Sequence, residues 1–510
     1  MVRTRHLLRS SILVILFFGI GKLTGLVRLR LIGTAFGTSP DYDAFTAANQ
    51  LPEVFYVLIA GGSLAAAFIP VYSDYLTSKA KESARLANTI LTLVIVVLGS
   101  LAAVGAVLAP WLTRVALVPN FPPEMQQLTA ELMRIILIQT VLFGISGVLS
   151  SILNAHQHFA LPALAPLALD VGYIVGLYLF VPTLGIHGLA WGTVLAGLLH
   201  IGIQVPALVR YKISCRPAWG VRLAGTAEII RLMGPRIVML GAIQFADLFI
   251  IRLTSGLPSG STSGYFYGYA LMQLPETLFG TAIALVMFPT MAEMFNAGDL
   301  AGLKRTAVNA LKIIWTLTIP AAAVLVILGE PAITVFLQGG VFDEAATRLV
   351  SAVLIALSIR LISEATLEIV ARLFYARHNT SVPMRAYLGW LVVFWALANL
   401  LVGSLGVVGL AVASTIAFTL LSVVLFVLNW RDLGDLHGSE LAISGGRAVA
   451  ATVGMVLVML GIGRLSLPPL YFLAAAGLAG TFAYLLLSHL LGGREIPHLW
   501  RLVRQRENQS

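Results

Sequence analysis

Charged residues and cysteines are scarce in this chain of 510 residues. Lys, Arg, Asp and Glu together make up 11% of it, against about 25% in a typical soluble domain. Hydrophobic residues make up 58%, which is more apolar surface than a water-facing domain can bury. A soluble globular enzyme and a disordered chain are therefore both excluded. The single cysteine, Cys215, excludes an internal disulfide and a cysteine-rich metal site.

Motifs for nucleotide binding and for catalysis are also missing. The stretch from Gly19 to Lys22 lacks the loop spacing and the following Ser or Thr of a phosphate-binding loop. The nine histidines form no metal-ligand pair at helical spacing, and no nucleophilic triad stands out. The cations that give the net charge of +10 are not gathered on one face, so no nucleic-acid partner is indicated. We expect no enzyme, no ATP-driven mechanism and no resident cofactor.

What the sequence has instead is long apolar runs, which predict an all-α polytopic membrane protein because only helices of this length satisfy their backbone in lipid. The runs predict about fourteen transmembrane helices. They lie near residues 8–33, 43–73, 86–111, 126–153, 161–181, 187–209, 228–254, 264–292, 306–328, 345–374, 384–403, 406–428, 443–462 and 467–488.

The loops between these helices differ in positive charge. Lys and Arg fall almost entirely in loops on the side of the N-terminus, and the opposite loops hold only Arg114, Arg348 and Arg464. Because positive loops stay in the cytoplasm, the pattern predicts a multi-pass protein of the bacterial cytoplasmic membrane with both termini inside.

An internal repeat divides the chain. Leu184–Ala190 recurs as Leu405–Ala411 at an offset of 221, and Gln50–Glu53 recurs as Gln273–Glu276 at an offset of 223. Landmarks in the same order at a nearly constant offset indicate two homologous halves. An even number of helices in each half makes the repeats parallel, with their axis along the membrane normal.

The repeat predicts four parts. A six-helix N-terminal lobe spans 1–215, a six-helix C-terminal lobe spans 225–430, an extra two-helix pair spans 441–491 and a basic cytoplasmic tail spans 492–510. Paired lobes of this kind are typical of transporters that work by alternating access.

Ionisable residues within spans are costly, so they indicate a wet cavity or a partner. Lys22 and Arg28 in the first span predict a cationic cavity wall, although Arg28 could also snorkel to the headgroups. The second span holds Asp43 and Glu53, with a proline and a glycine pair that permit a bend.

The corresponding helix of the second half holds Gln273 and Glu276. The candidate substrate-binding residues are therefore Lys22, Arg28, Asp43, Glu53, Gln273 and Glu276. Glu53 and Glu276 could carry protons, pair with the cations of the first span or pair structurally. Asp170 and Asp247 lack a cation nearby in sequence, so each requires a partner from another helix, a proton or a metal ion. In the tenth span, two Arg and two Glu follow at i, i+4 spacing, which predicts self-neutralising pairs. These are Arg360, Glu364, Glu368 and Arg372.

Short motifs in the first two spans resemble the N-terminal signature of the MurJ (MviN) family. These are lipid II flippases of the multidrug/oligosaccharidyl-lipid/polysaccharide exporter superfamily. The motifs are Gly25-Leu-Val-Arg28, Phe36-Gly37, Asp43-Ala44-Phe45, Leu51-Pro52 and Ala67-Phe-Ile-Pro70.

The resemblance implies a flippase that moves an undecaprenyl-pyrophosphate-linked peptidoglycan precursor from the inner to the outer leaflet. It implies that Lys22 and Arg28 face the pyrophosphate in a central cationic cavity, and that the C-terminal helix pair helps to form a groove for the lipid tail. A coupling ion, sodium or a proton, is expected. The sodium ion that some members hold would fall on Asp247, Asn399 and Thr415.

The chain departs from the family at several charged positions. Family arginines fall on Tyr56 and Ala270, and family acids fall on Leu29 and Gln273. Two alternatives therefore stay open beside lipid II flipping: export of another lipid-linked oligosaccharide, or a non-transporting scaffold for cell-wall synthesis. The expected partners are a lipid-linked glycan, membrane lipids and cell-wall synthesis proteins.

Overall fold

Helices make up nearly all of the computed structural model, which describes residues 20–60, 62–211, 213, 216–493 and 495. The N-terminal arginines before residue 20, Cys215 and nearly all of the basic tail lie outside these residues, so what the sequence indicates for them stays a prediction. The described chain forms two compact units, one ending at Thr262 and the other beginning at Ser263.

Unit 1 contains ten helices among its described residues. They are α1 (20–36), α2 (Pro40–Ile59), α3 (Gly62–Ser78), α4 (Ala80–Leu112), α5 (Pro123–Ala155), α6 (Ala160–Val175), α7 (Val181–Leu184), α8 (Ile186–Gly202), α9 (Val205–Arg210) and α10 (Ala224–Thr254). Short π-helical segments follow α4 and α6 at Thr113–Leu117 and Gly176–Phe180.

Unit 2 contains the other helices of the described chain. They are α11 (Ser261–Glu276), α12 (Ala282–Asn296), α13 (Leu300–Phe336), α14 (Glu344–Ala376), α15 (Ser381–Leu433), α16 (Gly438–Gly463) and α17 (Pro469–Leu490). A π-helical segment, Thr277–Thr281, connects α11 to α12.

The described helices have the length and hydropathy that a bilayer requires. Eleven segments could cross a membrane, or twelve if α10, which bends by 42°, counts as one more. The prediction of an all-helical, multi-pass membrane protein is therefore confirmed. Within the second predicted span, α2 ends at Ile59 and α3 begins at Gly62, while Gly61 lies outside the described residues.

Helix α10 lies in unit 1, although the repeat assigns this part of the sequence to the second half. It packs against α2, α3 and α4, and its Ile229 is fully buried in the apolar core that these helices share with α5. The boundary between the compact units therefore falls later in the chain than the boundary between the repeats.

Two unusual backbone conformations recur at the repeat offset. Gly185 has φ 56° and ψ −137°, and Gly406, which is 221 residues later, has φ 57° and ψ −138°. Gln157 and His378, also 221 residues apart, both have φ near 58°. Gly406 breaks the 53-residue α15 at the place where the sequence predicts two successive spans.

Close packing of α6 against α8 fixes one wall of unit 1. A Cβ added to Gly172 would lie 2.4 Å from Ala196 Cα, and one added to Gly176 would lie 2.5 Å from Gly192 Cα. Small residues allow membrane helices to approach this closely, because lipid supplies no hydrophobic drive for their association. The contact holds in place the segment of α6 that carries Asp170 and Tyr173.

The C-terminal helices α16 and α17 pack against each other and against α13. Leu328 of α13 lies in the same apolar cluster as Met455 and Met459 of α16. The Tyr484 hydroxyl of α17 donates a hydrogen bond of 2.5 Å to the Thr316 carbonyl. The predicted extra pair thus packs on α13 within unit 2.

Candidate functional site

A polar cavity of about 260 Å³ lies within unit 1. It is bordered by parts of α1, α2, α5 and α6, and charged, amide, hydroxyl and aromatic groups face it together. The lining residues are Arg28, Asn49, Pro52, Glu53, Tyr56, Gln139, Thr140, Phe143, Leu169 and Tyr173.

Arg28 is held at the cavity wall by Asp170. Its Nη1 lies 3.2 Å from Asp170 Oδ1, and its guanidinium carbon lies 4.9 Å from the centre of the Tyr173 ring. Thr24, one turn earlier on α1, donates a hydrogen bond of 2.5 Å to the other oxygen of Asp170. Thr24 and Arg28 therefore share one face of α1, and the partner that Asp170 requires comes from another helix.

The two partners differ in exposure. The Arg28 side chain is 29% exposed, whereas Asp170 is 7% exposed. A guanidinium has five N–H donors, of which the recorded ion pair uses one nitrogen. Arg28 therefore keeps donors for an anion that enters the cavity, while Asp170 fixes its position from behind.

Glu53 brings a carboxyl group to the same cavity. The Asn49 amide, one turn earlier on α2, donates a hydrogen bond of 3.4 Å to its carboxylate. Pro52 beside it cannot donate a backbone hydrogen bond, and its carbonyl accepts one of 3.3 Å from the Thr140 hydroxyl of α5. This contact fastens α2 to α5 at the level of the cavity.

Gln139 supplies an unsatisfied acceptor. The residue is only 9% exposed, and its Oε1 is buried without a hydrogen-bond partner among the described residues. Buried polar atoms are nearly always paired in folded proteins. An orphan acceptor beside a partly exposed arginine suits a ligand that carries both hydroxyl donors and a negative charge.

Two other predicted site residues have different surroundings. Asp43 is buried at the start of α2, where its Oδ2 accepts a hydrogen bond of 2.6 Å from the Gly260 backbone. Asp43 therefore ties the loop before α11 to α2. Lys22 is partly buried on α1, six residues before Arg28, which turns it away from the face that Arg28 shares with Thr24.

Gln273 and Glu276 lie in unit 2, among the charged residues of α14. Gln273 Nε2 donates hydrogen bonds of 3.0 Å to Glu364 Oε1 and 2.8 Å to the Tyr269 hydroxyl. Glu276 accepts from the Thr281 hydroxyl at 3.2 Å.

The predicted self-neutralising pairs of α14 are confirmed. Arg360 Nε lies 2.9 Å from Glu364 Oε2, and Arg372 bonds to Glu368. Arg360 also donates a hydrogen bond of 2.6 Å to the Ser414 hydroxyl. The cluster satisfies its own hydrogen bonds almost completely, which is typical of a structural role.

The candidate sodium ligands belong to different units of the chain. Asp247 lies on α10 of unit 1, whereas Asn399 and Thr415 lie on α15 of unit 2, on opposite sides of Gly406. Asn399 is exposed and donates to the Trp395 carbonyl, and Thr415 is buried and donates to the Ala356 carbonyl. Within the described chain, no group of three or more His, Cys, Asp or Glu is placed to hold a metal ion.

Sequence reasoning missed Gln139 and Tyr173 as cavity residues. Tyr173 follows Asp170 by three positions, a spacing that puts both on one face of a helix. That spacing is a signal that could have found Tyr173. Gln139 lies in an apolar run with no charged neighbour at helical spacing, and the sequence carries no comparable signal for it.

The family model "Lipid II flippase MurJ" matches residues 32–476. A probable lipid II flippase MurJ of Bdellovibrio bacteriovorus is 29% identical over 98% of this chain and 97% of its own length. Another from Vibrio cholerae is 30% identical over 81% of each chain.

Solved structures agree on the fold. An inward-closed lipid II flippase MurJ superposes with a TM-score of 0.81 at 21% identity, covering 94% of this chain and 98% of its own. An inward-facing MATE family transporter superposes with a TM-score of 0.68 at 14% identity, covering 84% and 99%. The chain therefore belongs to the lipid II flippase MurJ family, a family of membrane transporters and not of enzymes.

Proposed function

We propose that this chain translocates lipid II, a polyprenyl-pyrophosphate-linked peptidoglycan precursor, from the inner to the outer leaflet by alternating access. The observation that carries the proposal is Arg28, a cation on the wall of a polar cavity in a chain of this family. A phosphate oxygen can accept the guanidinium donors that Asp170 leaves unused. The orphan Gln139 Oε1 can accept from a sugar or peptide group.

The proposal includes the finer architecture. Adding α1 and α10 to the eleven spans, and dividing α15 at Gly406, gives fourteen helices. The matching backbone of Gly185 and Gly406 supports two parallel repeats with boundaries near residues 215–225 and 430. The distribution of Lys and Arg supports cytoplasmic termini in the bacterial inner membrane.

Energy for the cycle comes from the membrane potential or an ion gradient under this proposal. If sodium is the coupling ion, Asp247, Asn399 and Thr415 are the residues that would hold it. Asn399 donates to the Trp395 carbonyl within α15, and Thr415 donates to the Ala356 carbonyl of α14. A coupling proton is the second option.

The test is complementation of cells whose own lipid II flippase can be switched off. We expect growth with the unchanged chain and no growth with Arg28→Ala, because the variant removes the charge that meets the pyrophosphate. Arg30→Gln is the matched control, since Arg30 is exposed two residues further along α1. Membrane insertion of each variant is measured by quantitative immunoblotting.

The same cells distinguish the alternatives. Tyr56 stands on the cavity wall where the family resemblance places an arginine. If the unchanged chain inserts and fails to support growth, lipid II is the wrong substrate. Reconstituted liposomes then separate export of another lipid-linked oligosaccharide from a scaffold that transports nothing.

A further inference from the structure

Glu276 occupies a place in unit 2 that supports a charged carboxylate poorly. The residue is 3% exposed, and the hydrogen bond recorded for it comes from the Thr281 hydroxyl, at 3.2 Å from both carboxylate oxygens. A hydroxyl has one hydrogen and can satisfy only one oxygen at a time. Removing a carboxylate from water at this depth favours its neutral form.

The charges around Glu276 do not balance it. Its ionisable neighbours on α14 are Glu364, Glu368 and Arg360. Arg360 is committed to Glu364 and Ser414, and Arg372 is committed to Glu368. From α15, Tyr387 faces the same cluster. Three carboxylates thus share two guanidiniums, and one proton makes the group neutral.

The backbone at Glu276 is a place where the helix can change shape. Pro275, the residue before Glu276, removes one helical hydrogen bond. The π-helical segment Thr277–Thr281 begins directly after Glu276. Single-turn π segments inside α-helices are frequent at functional sites. Thr281, the donor to Glu276, is the last residue of this segment, so the hydrogen bond spans the irregular turn.

Little space is left for a hydrated ion beside the carboxylate. A Cβ added to Gly280 would lie 2.5 Å from Glu276 Oε1 and 2.9 Å from Ala365 Cα. A proton needs no such space, because it adds only one O–H bond to an oxygen already in place.

We propose that Glu276 is a proton-binding site and that its protonation and release couple the flipping cycle to the proton gradient. In the protonated state, the buried cluster is neutral and the turn around Pro275 stays closed. The carboxyl gives its proton to water when this turn opens and takes another on the opposite face of the membrane. This inference rests on the proposed function only for the coupling, not for the proton site itself.

The proton site is tested without any substrate. Infrared spectroscopy of the purified chain in lipid should show the carbonyl band of a protonated carboxylic acid at neutral pH. We expect this band to be lost in Glu276→Gln and kept in Glu293→Gln, an exposed glutamate on the adjoining α12. A band of equal intensity in Glu276→Gln overturns the proposal. Thermal unfolding of both variants confirms that they are folded.

The coupling is tested in liposomes that contain the chain, lipid II and a trapped pH-sensitive dye. With the membrane potential clamped at zero, a pH gradient should raise the rate of lipid II translocation by the unchanged chain. The ratio of rates with and without the gradient should fall to one in Glu276→Gln and stay unchanged in Glu293→Gln. A ratio that Glu276→Gln leaves at its original value overturns the coupling. If the unchanged chain moves no lipid II under any gradient, the proposed function fails, and the infrared band still decides the proton site.

Discussion

The two units place arginine–carboxylate pairs in opposite surroundings. In unit 1, Arg28 borders a cavity, is 29% exposed and rests beside Tyr173. In unit 2, Arg360 is 7% exposed, and its guanidinium carbon lies 3.9 Å from the centre of the Phe418 ring. A partly exposed arginine can bind a ligand through the donors that its carboxylate leaves unused, whereas a buried arginine cannot exchange its partner without leaving a charge in a low dielectric.

This difference indicates that charged residues with similar sequence surroundings have different roles in the two units. Arg28 and Arg360 both stand in apolar spans, and both are costly there. Arg360 stabilises the fold, since its hydrogen bond to the Ser414 hydroxyl links α14 to α15. The remaining donors of Arg28 are available to a ligand.

The largest expected difference between Arg360 and Arg28 is in the loss of protein stability when each is replaced. We expect Arg360→Met to destabilise the protein by about 3 to 5 kcal/mol, because Glu364 would be left buried without its cation. Arg28→Met should cost less, because Arg360→Met also removes the hydrogen bond to Ser414 and the contact with the Phe418 ring, whereas Asp170 keeps its hydrogen bond from Thr24. Thermal unfolding in detergent, followed by tryptophan fluorescence, measures both.

A double variant provides the control for this prediction. Arg360→Met combined with Glu364→Leu removes both charges and should recover most of the lost stability, as for other buried pairs that are replaced by apolar residues. If Arg28→Met lowers the unfolding temperature as much as Arg360→Met, the two units do not differ in the way described.

The sequence predicted ion pairs within one helix better than contacts between different helices. The i, i+4 spacing on α14 predicted its two ion pairs, because residues one turn apart must be neighbours on a helix. The partner of Asp170 could not be predicted, since Arg28 is 142 positions away and their contact depends on how α1 packs beside α6. The hydrogen bond from the Gly260 backbone to Asp43 could not be predicted either, since the two residues are far apart in sequence.

A smaller effect is expected from restoring a family charge to the cavity of unit 1. Tyr56→Arg places a second guanidinium on the wall, one turn from Glu53 on α2. A hydrogen bond between charged groups contributes about 1.5 to 3 kcal/mol, so lipid II should bind roughly ten times more tightly or better. Native mass spectrometry of the purified chain with lipid II measures the change.

Two comparisons make this measurement specific. Tyr178→Arg adds the same charge at an exposed position of α6's π-helical extension and should leave binding unchanged. Equal tightening by both variants would mean that the added charge attracts the lipid without using the cavity. Arg28→Ala combined with Tyr56→Arg then shows whether the second guanidinium can replace the first.

The smallest effect concerns the end of α5 in unit 1, where His156 follows the membrane-spanning helix. Its ring stacks on the Tyr211 ring, with 5.7 Å between the ring centres, and its Nε2 lies 3.4 Å from the Tyr72 hydroxyl. The His158 ring also contacts the Tyr211 ring. Burial lowers the pKa of His156 from its ordinary value of 6.5, because desolvation disfavours the imidazolium. The unfolded chain therefore binds more protons than the folded chain at mildly acidic pH. The stabilisation by neutral His156 is present above pH 6.5 and is lost as the pH falls toward the folded-state pKa.

We expect the unfolding temperature to fall on acidification, and His156→Phe to reduce this fall. His489→Phe, an exposed histidine at the end of α17, should keep the fall at its original size. An unchanged slope in His156→Phe would mean that His156 makes no net contribution to the pH dependence of stability.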